Sequence, residues 1–142
     1  MSATDAAADF AGVIARLGVE TDMIVQQIGF DTDCDEELTA AVADVAGSPV
    51  LDADTDEVVD LVLLWWRDED GDLVDGLVDA LHPLADNGMI LLLTPKPGRE
   101  GHIEPSDIAD SARTAGLQQT SVLNATRDWQ GTRLVAPKAA RK

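Results

Sequence analysis

Two apolar runs constrain this chain more than anything else in it: Leu61-Val62-Leu63-Leu64-Trp65-Trp66 and Met89-Ile90-Leu91-Leu92-Leu93-Thr94. Neither alternates with polar residues, so each reads as a strand covered on both faces. The helical pattern of about 20 residues between them is what a parallel crossover needs. That pairing sets the class as α/β, a layered fold with a mostly parallel sheet. At 142 residues the chain is one domain, large enough to bury roughly two thirds of its unfolded surface without a disulfide or metal staple. Its single cysteine, Cys34, has no partner for an internal bridge.

The other elements fall around these two strands. Phe10, Val13, Ile14 and Leu17 recur at helical spacing, and Gly18 ends that helix. Residues 23–29 form a first strand closing on Gly29. An acidic loop, residues 31–35, then leads into a helix over 35–45 with Glu36 and Glu37 in its first turn, where the helix dipole favours negative charge. Val50-Leu51 reads as a brief second strand near an edge, and residues 58–66 as the third. Leu73, Val74, Leu77, Val78, Leu81 and Leu84 share one helical stripe, with Asn87-Gly88 supplying the left-handed stop. Pro105 opens a last helix that Gly116 closes, and residues 119–125 and 131–136 form an antiparallel hairpin. Residues 1–9 are expected to be a flexible N-terminus, 10–138 a single α/β domain, and 139–142 a basic tail.

Charge narrows the function classes. The net charge is −17, and residues 1–86 hold 22 acids against Arg16 and Arg67 alone, whereas residues 87–142 hold five acids and eight bases. Such a field repels nucleic acid and anionic lipid, because phosphate binding requires clustered Lys and Arg. The field is first that of a solubilising acidic surface or a salt-adapted proteome, with a basic protein partner or cation binding as the alternatives. No stretch approaches the ~18 apolar residues of a membrane span, and the N-terminus lacks a basic flank and an apolar core of signal-peptide length. A soluble cytoplasmic protein is expected.

The stretch Leu84-Ala85-Asp86-Asn87-Gly88 followed by the apolar strand and Thr94-Pro95 resembles the fifth-strand region of class I S-adenosylmethionine-dependent methyltransferases. Residues 115–135 resemble the closing helix and hairpin of that superfamily. More closely, residues 19–138 resemble an actinobacterial family known as domain of unknown function 3052. The marks are Gln27-Ile28-Gly29-Phe30-Asp31, Leu63-Leu64-Trp65-Trp66-Arg67-Asp68, Leu93-Thr94-Pro95-Lys96 and His102-Ile103-Glu104-Pro105-Ser106-Asp107-Ile108. The resemblance implies a single Rossmann-like, methyltransferase-like three-layer domain. Its six-stranded mixed sheet is expected in the order 2-1-3-4-6-5, with the last strand antiparallel and helices on both faces. It also implies a place for S-adenosylmethionine, from which the residues depart. The loop after the first strand should be Gly-rich so that backbone can approach the cofactor. Here it reads Gly29-Phe30-Asp31-Thr32-Asp33-Cys34, with one glycine and two carboxylates, and the span between residues 51 and 58 has no room for the usual additional elements.

The crevice outside the carboxyl ends of the strands is where open α/β sheets present their contacts. That places Gly29, Asp31, Trp65, Arg67, Pro95 and Lys96 around it. Trp65 and Trp66, adjacent on a strand, point to opposite faces, one into the core and the other within reach of the crevice. Arg67 is expected to pair with Asp68, Asp70 or another local carboxylate, with anion binding as the alternative. His102 lies in the Pro-, Gly- and polar-rich loop 95–107, longer than the ~2–6 residues usual for such a connection. Asp31, Asp33 and Asp35 have calcium-loop spacing, but Glu36 and Val42 occupy the positions that need a glycine and a bidentate acid, so the match fails. No catalytic residue, resident cofactor or metal site is expected. Two functions stay open: a non-catalytic regulatory or protein-interaction domain on a trimmed methyltransferase-like fold, and a small-molecule binding protein or minimal transferase using the crevice for S-adenosylmethionine or a nucleotide.

Overall fold

A computed structural model of the chain describes residues 11–136. The expected flexible N-terminus, Phe10 and the basic tail lie outside them. The elements are α1 (Ala11–Leu17), β1 (Val25–Ile28), α2 (Glu36–Ala46), β2 (Val59–Trp65), a 3-10 turn (Asp68–Asp70), α3 (Leu73–Leu81), β3 (Leu84–Pro95), α4 (Pro105–Thr114), β4 (Gln118–Asn124) and β5 (Trp129–Val135). The sheet runs β1-β2-β3-β5-β4. The first three strands are parallel, with Leu61 opposite both Val25 and Met89, and β5 lies antiparallel between β3 and β4.

The two apolar runs are covered on both faces because their side chains alternate between two helical layers. Leu61, Leu63, Trp65, Met89, Leu91 and Leu93 pack with Ile14 and Leu17 of α1 and Leu38, Ala41 and Val42 of α2. Val62, Leu64, Ile90 and Leu92 pack with Leu73, Leu77 and Ala80 of α3 and Ile108 and Ala112 of α4. A fully buried Leu or Ile stabilises the fold by ~1.5–3 kcal/mol. These central strands, almost wholly withdrawn from solvent, therefore hold the three layers together.

The helix ends follow the sequence signals. Asp35 accepts the Glu37 amide at 3.0 Å and Asp72 the Val74 amide at 2.9 Å, both as N-caps. Gly47 closes α2 at φ 85°, and Pro105 opens α4.

Two expectations are corrected. The second strand is a one-residue bridge, Leu51 to Gln26, in which Leu51 exchanges 2.8 Å backbone bonds with Val25 and Gln27. The sheet therefore has five strands, and the expected six-strand order loses its first member. Pro49 has no N–H for a ladder, and the residues between Leu51 and Val59 are too few for a helical crossover, so the chain only touches the edge. The third helix also stops early, at Leu81, because Pro83 cannot donate to the preceding turn. Leu84 already lies in β3, and Gly88 lies inside that strand rather than in a left-handed cap. Between the pairs Val59–Leu84 and Leu61–Met89 the register slips. In that irregularity a Cβ on Gly88 would meet the Leu84 side chain at 2.5 Å, which is why glycine fits there. Among the described residues no helix is long and apolar enough to cross a membrane.

Candidate functional site

The carboxyl ends of β1, β2 and β3 and the loops leaving them converge on one side chain. Gly29, at φ 81°, turns the chain out of β1, and a Cβ there would overlap the Trp65 carbonyl oxygen. The glycine thus serves the close approach of the chain's own backbone. The turn brings the acidic loop, residues 30–35, over the end of β2, where Arg67 stands 8% exposed.

Arg67 grips Asp33 through both fork positions, Nε to Oδ2 at 3.0 Å and Nη2 to Oδ1 at 2.7 Å. Its Nη1 donates to Asp70 Oδ2 and to the Gly29 carbonyl, each at 3.0 Å. The Cys34 sulfur lies 3.0 Å from Nη2. The guanidinium sits 5.2 Å from the centre of the Trp129 ring, and the Trp129 indole N–H donates to the Asp33 carbonyl at 3.0 Å. Trp65 stands edge-on to both Trp129 and Phe30, with centroids at 5.0 and 5.8 Å, and donates its indole N–H to Gln27 at 3.0 Å. Planar, five-donor geometry suits arginine to this clasp in a way lysine cannot match.

Electrostatics follow from that geometry. The hydrogen bonds from Arg67 hold the Asp33 carboxyl below its ordinary value of 3.8, and the Asp33 bond in turn raises the Arg67 guanidinium. The stabilisation from Asp33 is present above the unfolded value and lost as pH falls through the lowered one. Burial, the largest cause, pushes the Cys34 thiol up to about 11 from 9.0, so it is no poised nucleophile.

Loop 96–104 docks against the same side chain. Gly101, at φ 89°, would bring a Cβ within 3.0 Å of the Arg67 Cβ, and its carbonyl accepts the Asp68 amide at 2.9 Å. His102 Nδ1 lies 2.9 Å from the Pro95 carbonyl; a carbonyl only accepts, so Nδ1 carries the proton and Nε2 faces Glu104 at 3.7 Å. Arg99 pairs with Asp128 at 3.2 Å, and the Lys96 amide donates to the Asp128 carbonyl. Beside it opens a cleft of about 190 Å³ lined by Asp33, Glu69, Glu100, Asp128, Arg99, Pro95 and Trp129.

Of the residues singled out in the sequence, Gly29, Trp65, Arg67 and Pro95 come together here, with Lys96 and His102 on the adjoining loop. Asp31 is exposed and turned to its own loop, accepting the Thr32 amide at 2.7 Å. Trp66 points to the opposite face and packs on α3, where a Cβ on Gly76 would meet its ring at 2.7 Å. Sequence reasoning named Asp70 among the local partners of Arg67, as found, and missed Asp33 and Trp129 as members of the site. Asp70 was within local reach of Arg67, but nothing in the sequence ties Asp33 or Trp129 to it across such separations.

The loop after β1 lacks the glycine-rich backbone that the methyltransferase resemblance implies for a cofactor. The place over β1 and β2 is held by an internal cation with its full set of acceptors, and the one loop glycine is used against Trp65. The cleft beside it is smaller than the ~300–1,000 Å³ usual for small-molecule sites. Among the described residues no group of three or more His, Cys, Asp or Glu is placed to hold a metal ion.

Comparisons with known proteins come from sequence and from structure. A family described as a protein of unknown function, DUF3052, matches residues 14–138. Uncharacterised proteins of Mycobacterium tuberculosis and Mycobacterium bovis are 51% identical over 137 residues, covering 96% of this chain and 86% of each relative. A SAM-dependent methyltransferase from Aquifex aeolicus is similar in structure at TM-score 0.60 and 11% identity, over 96% of this chain and 100% of that one. TnmH is similar at TM-score 0.64 and 16% identity, over 95% of this chain and 56% of that one. The magnesium protoporphyrin IX methyltransferase of Synechocystis with bound SAM is similar at TM-score 0.56 and 15% identity, over 95% and 79%. At these identities the likeness is one of fold.

Proposed function

The chain belongs to the DUF3052 family of proteins of unknown function, and from that premise we propose that it is a non-catalytic regulatory or protein-interaction domain on a methyltransferase-like fold. One observation carries the reading: Arg67, with Asp33, Asp70, the Gly29 carbonyl and the Trp129 ring, fills the crevice at the carboxyl ends of the strands. An internal ion pair in that place, beside a loop with a single glycine, supports a reading without S-adenosylmethionine. The partner class is a basic protein, since the acids of residues 1–86 face only Arg16 and Arg67, and Arg67 is neutralised internally. The same field argues against nucleic acid and anionic membrane as partners and suits a cytoplasmic protein.

The alternative is a small-molecule binding protein, and the cleft walled by Pro95 and Trp129 is the observation that favours it. Calorimetry and thermal melting with S-adenosylmethionine, S-adenosylhomocysteine and nucleotides separate the two. The interaction reading expects no saturable heat and a melting shift under about 1 °C. A ligand at a hundred times its Kd would add about 2.7 kcal/mol and shift melting by several degrees, which would replace the proposal with the alternative.

A further inference from the structure

The sheet ends in two edges of opposite character. At one, β1 is covered: Leu51 bridges to Gln26, and the Asp52 carbonyl accepts the Gln26 side-chain amide at 3.1 Å. At the other, β4 has β5 as its one strand neighbour among the described residues. Its outer row of N–H and C=O groups is a template that another strand can complete, and native proteins guard such rows with charge, proline or irregularity. Gln118–Asn124 contains neither charge nor proline. Its irregularity lies between Gln119 and Ser121, where Arg133 holds the Thr120 hydroxyl at 3.0 Å, so residues 121–124 run in regular register. Within them stands Val122, 46% exposed.

Charge indicates which occupant the edge suits. Two copies each at −17 repel almost anywhere, yet residues 105–136 hold three acids and three bases and so carry no net charge. Meeting through β4 places the acid-laden β1 sides at the far ends of the assembly. A basic partner would find nothing to attract it at this neutral edge.

We propose that β4 is a self-association edge. Two copies pair their β4 strands antiparallel about a two-fold axis near Val122, joining two five-stranded sheets into one of ten. The contact is small and the net charges oppose it, so the dimer is weak and is strengthened by salt.

Sedimentation equilibrium on the full chain, from about 10 µM to about 1 mM at low salt and at about 0.5 M NaCl, tests this. The expected result is a monomer–dimer equilibrium that moves toward dimer with salt and weakens at least about tenfold in Val122→Lys. Val78→Lys, at an exposed position on α3, leaves it unchanged. Hydrogen exchange of the amides in residues 121–124 slows as the unmodified chain is concentrated, a reading that decides the matter even if Val122→Lys folds poorly. A chain monomeric throughout, a dimer indifferent to Val122→Lys, or exchange in β4 independent of concentration would overturn the proposal.

Discussion

Removing the Arg67 guanidinium is the most direct perturbation of the site. Arg67→Ala strips Asp33 of two charge-assisted hydrogen bonds, Asp70 of one and the Gly29 carbonyl of another. A hydrogen bond to a charged group contributes ~1.5–3 kcal/mol, so the nominal loss is large. Solvent reduces it: the Asp33 side chain is 54% exposed and that of Asp70 32%, so both carboxylates regain water when the arginine is gone. The Gly29 carbonyl and the Trp129 face recover less, which leaves about 3 kcal/mol, the lower end of the range for breaking a buried pair. For a domain of this size that lowers Tm by about 10 °C. Urea unfolding followed by Trp fluorescence gives the free energy directly, since Trp65 and Trp129 border the mutated position. Arg67→Lys keeps the charge without the fork and is expected to lose about half as much. A double-mutant cycle with Asp33→Asn should return a coupling of about 1–2 kcal/mol. If Arg67→Ala costs under about 1 kcal/mol, the clasp behaves as an exposed ion pair, and the claim that it pins loop 30–35 over the sheet is wrong.

Gly29→Ala should destabilise by about 3 kcal/mol, combining the left-handed backbone with overlap on the Trp65 carbonyl. Gly116→Ala, at φ 85° with open space around it, should lose only about 1 kcal/mol, and equal losses in urea titrations would remove the steric part of the argument. The Cys34 thiol, pushed up to about 11 in the folded chain, keeps its proton while the unfolded chain loses its own from about pH 9. Stability therefore falls as pH rises through that interval, and Cys34→Ser abolishes this component. A thiolate absorbance that titrates near 9 in the native protein would contradict the burial assigned to it.

The local sequence carried the fold a long way. The unbroken apolar runs at residues 61–66 and 89–94 can be buried only between two layers, and the caps at Asp35, Gly47, Asp72 and Pro105 act within a few residues of where they stand. The glycine-poor loop after β1 likewise announced a departure from the methyltransferase pattern. Where local signals competed, prediction failed: Leu84 continued the helical stripe of α3, but Pro83 and pairing with Val59 drew it into β3. Leu51 looked like a strand, yet the connection to β2 was too short to make more than a bridge.

The site itself was decided only in three dimensions. Arg67 announces an unmet need for acceptors, and the sequence offers it carboxylates on either side. Asp70 was one of the local choices, but the bidentate partner, Asp33, lies 34 residues away, and the ring beneath the guanidinium comes from the final hairpin. Periodicity and capping are properties of neighbours along the chain. The pairing of Arg67 with Asp33 and Trp129 depends on parallel register, on Gly29 turning against Trp65, and on β5 inserting beside β3 so that Trp129 stands opposite Pro95. The sequence determined that Arg67, one of two bases among 22 acids, would pair with a carboxylate, whereas the packing of distant strands determined which partners it has, because only the assembled sheet brings their ends to one place.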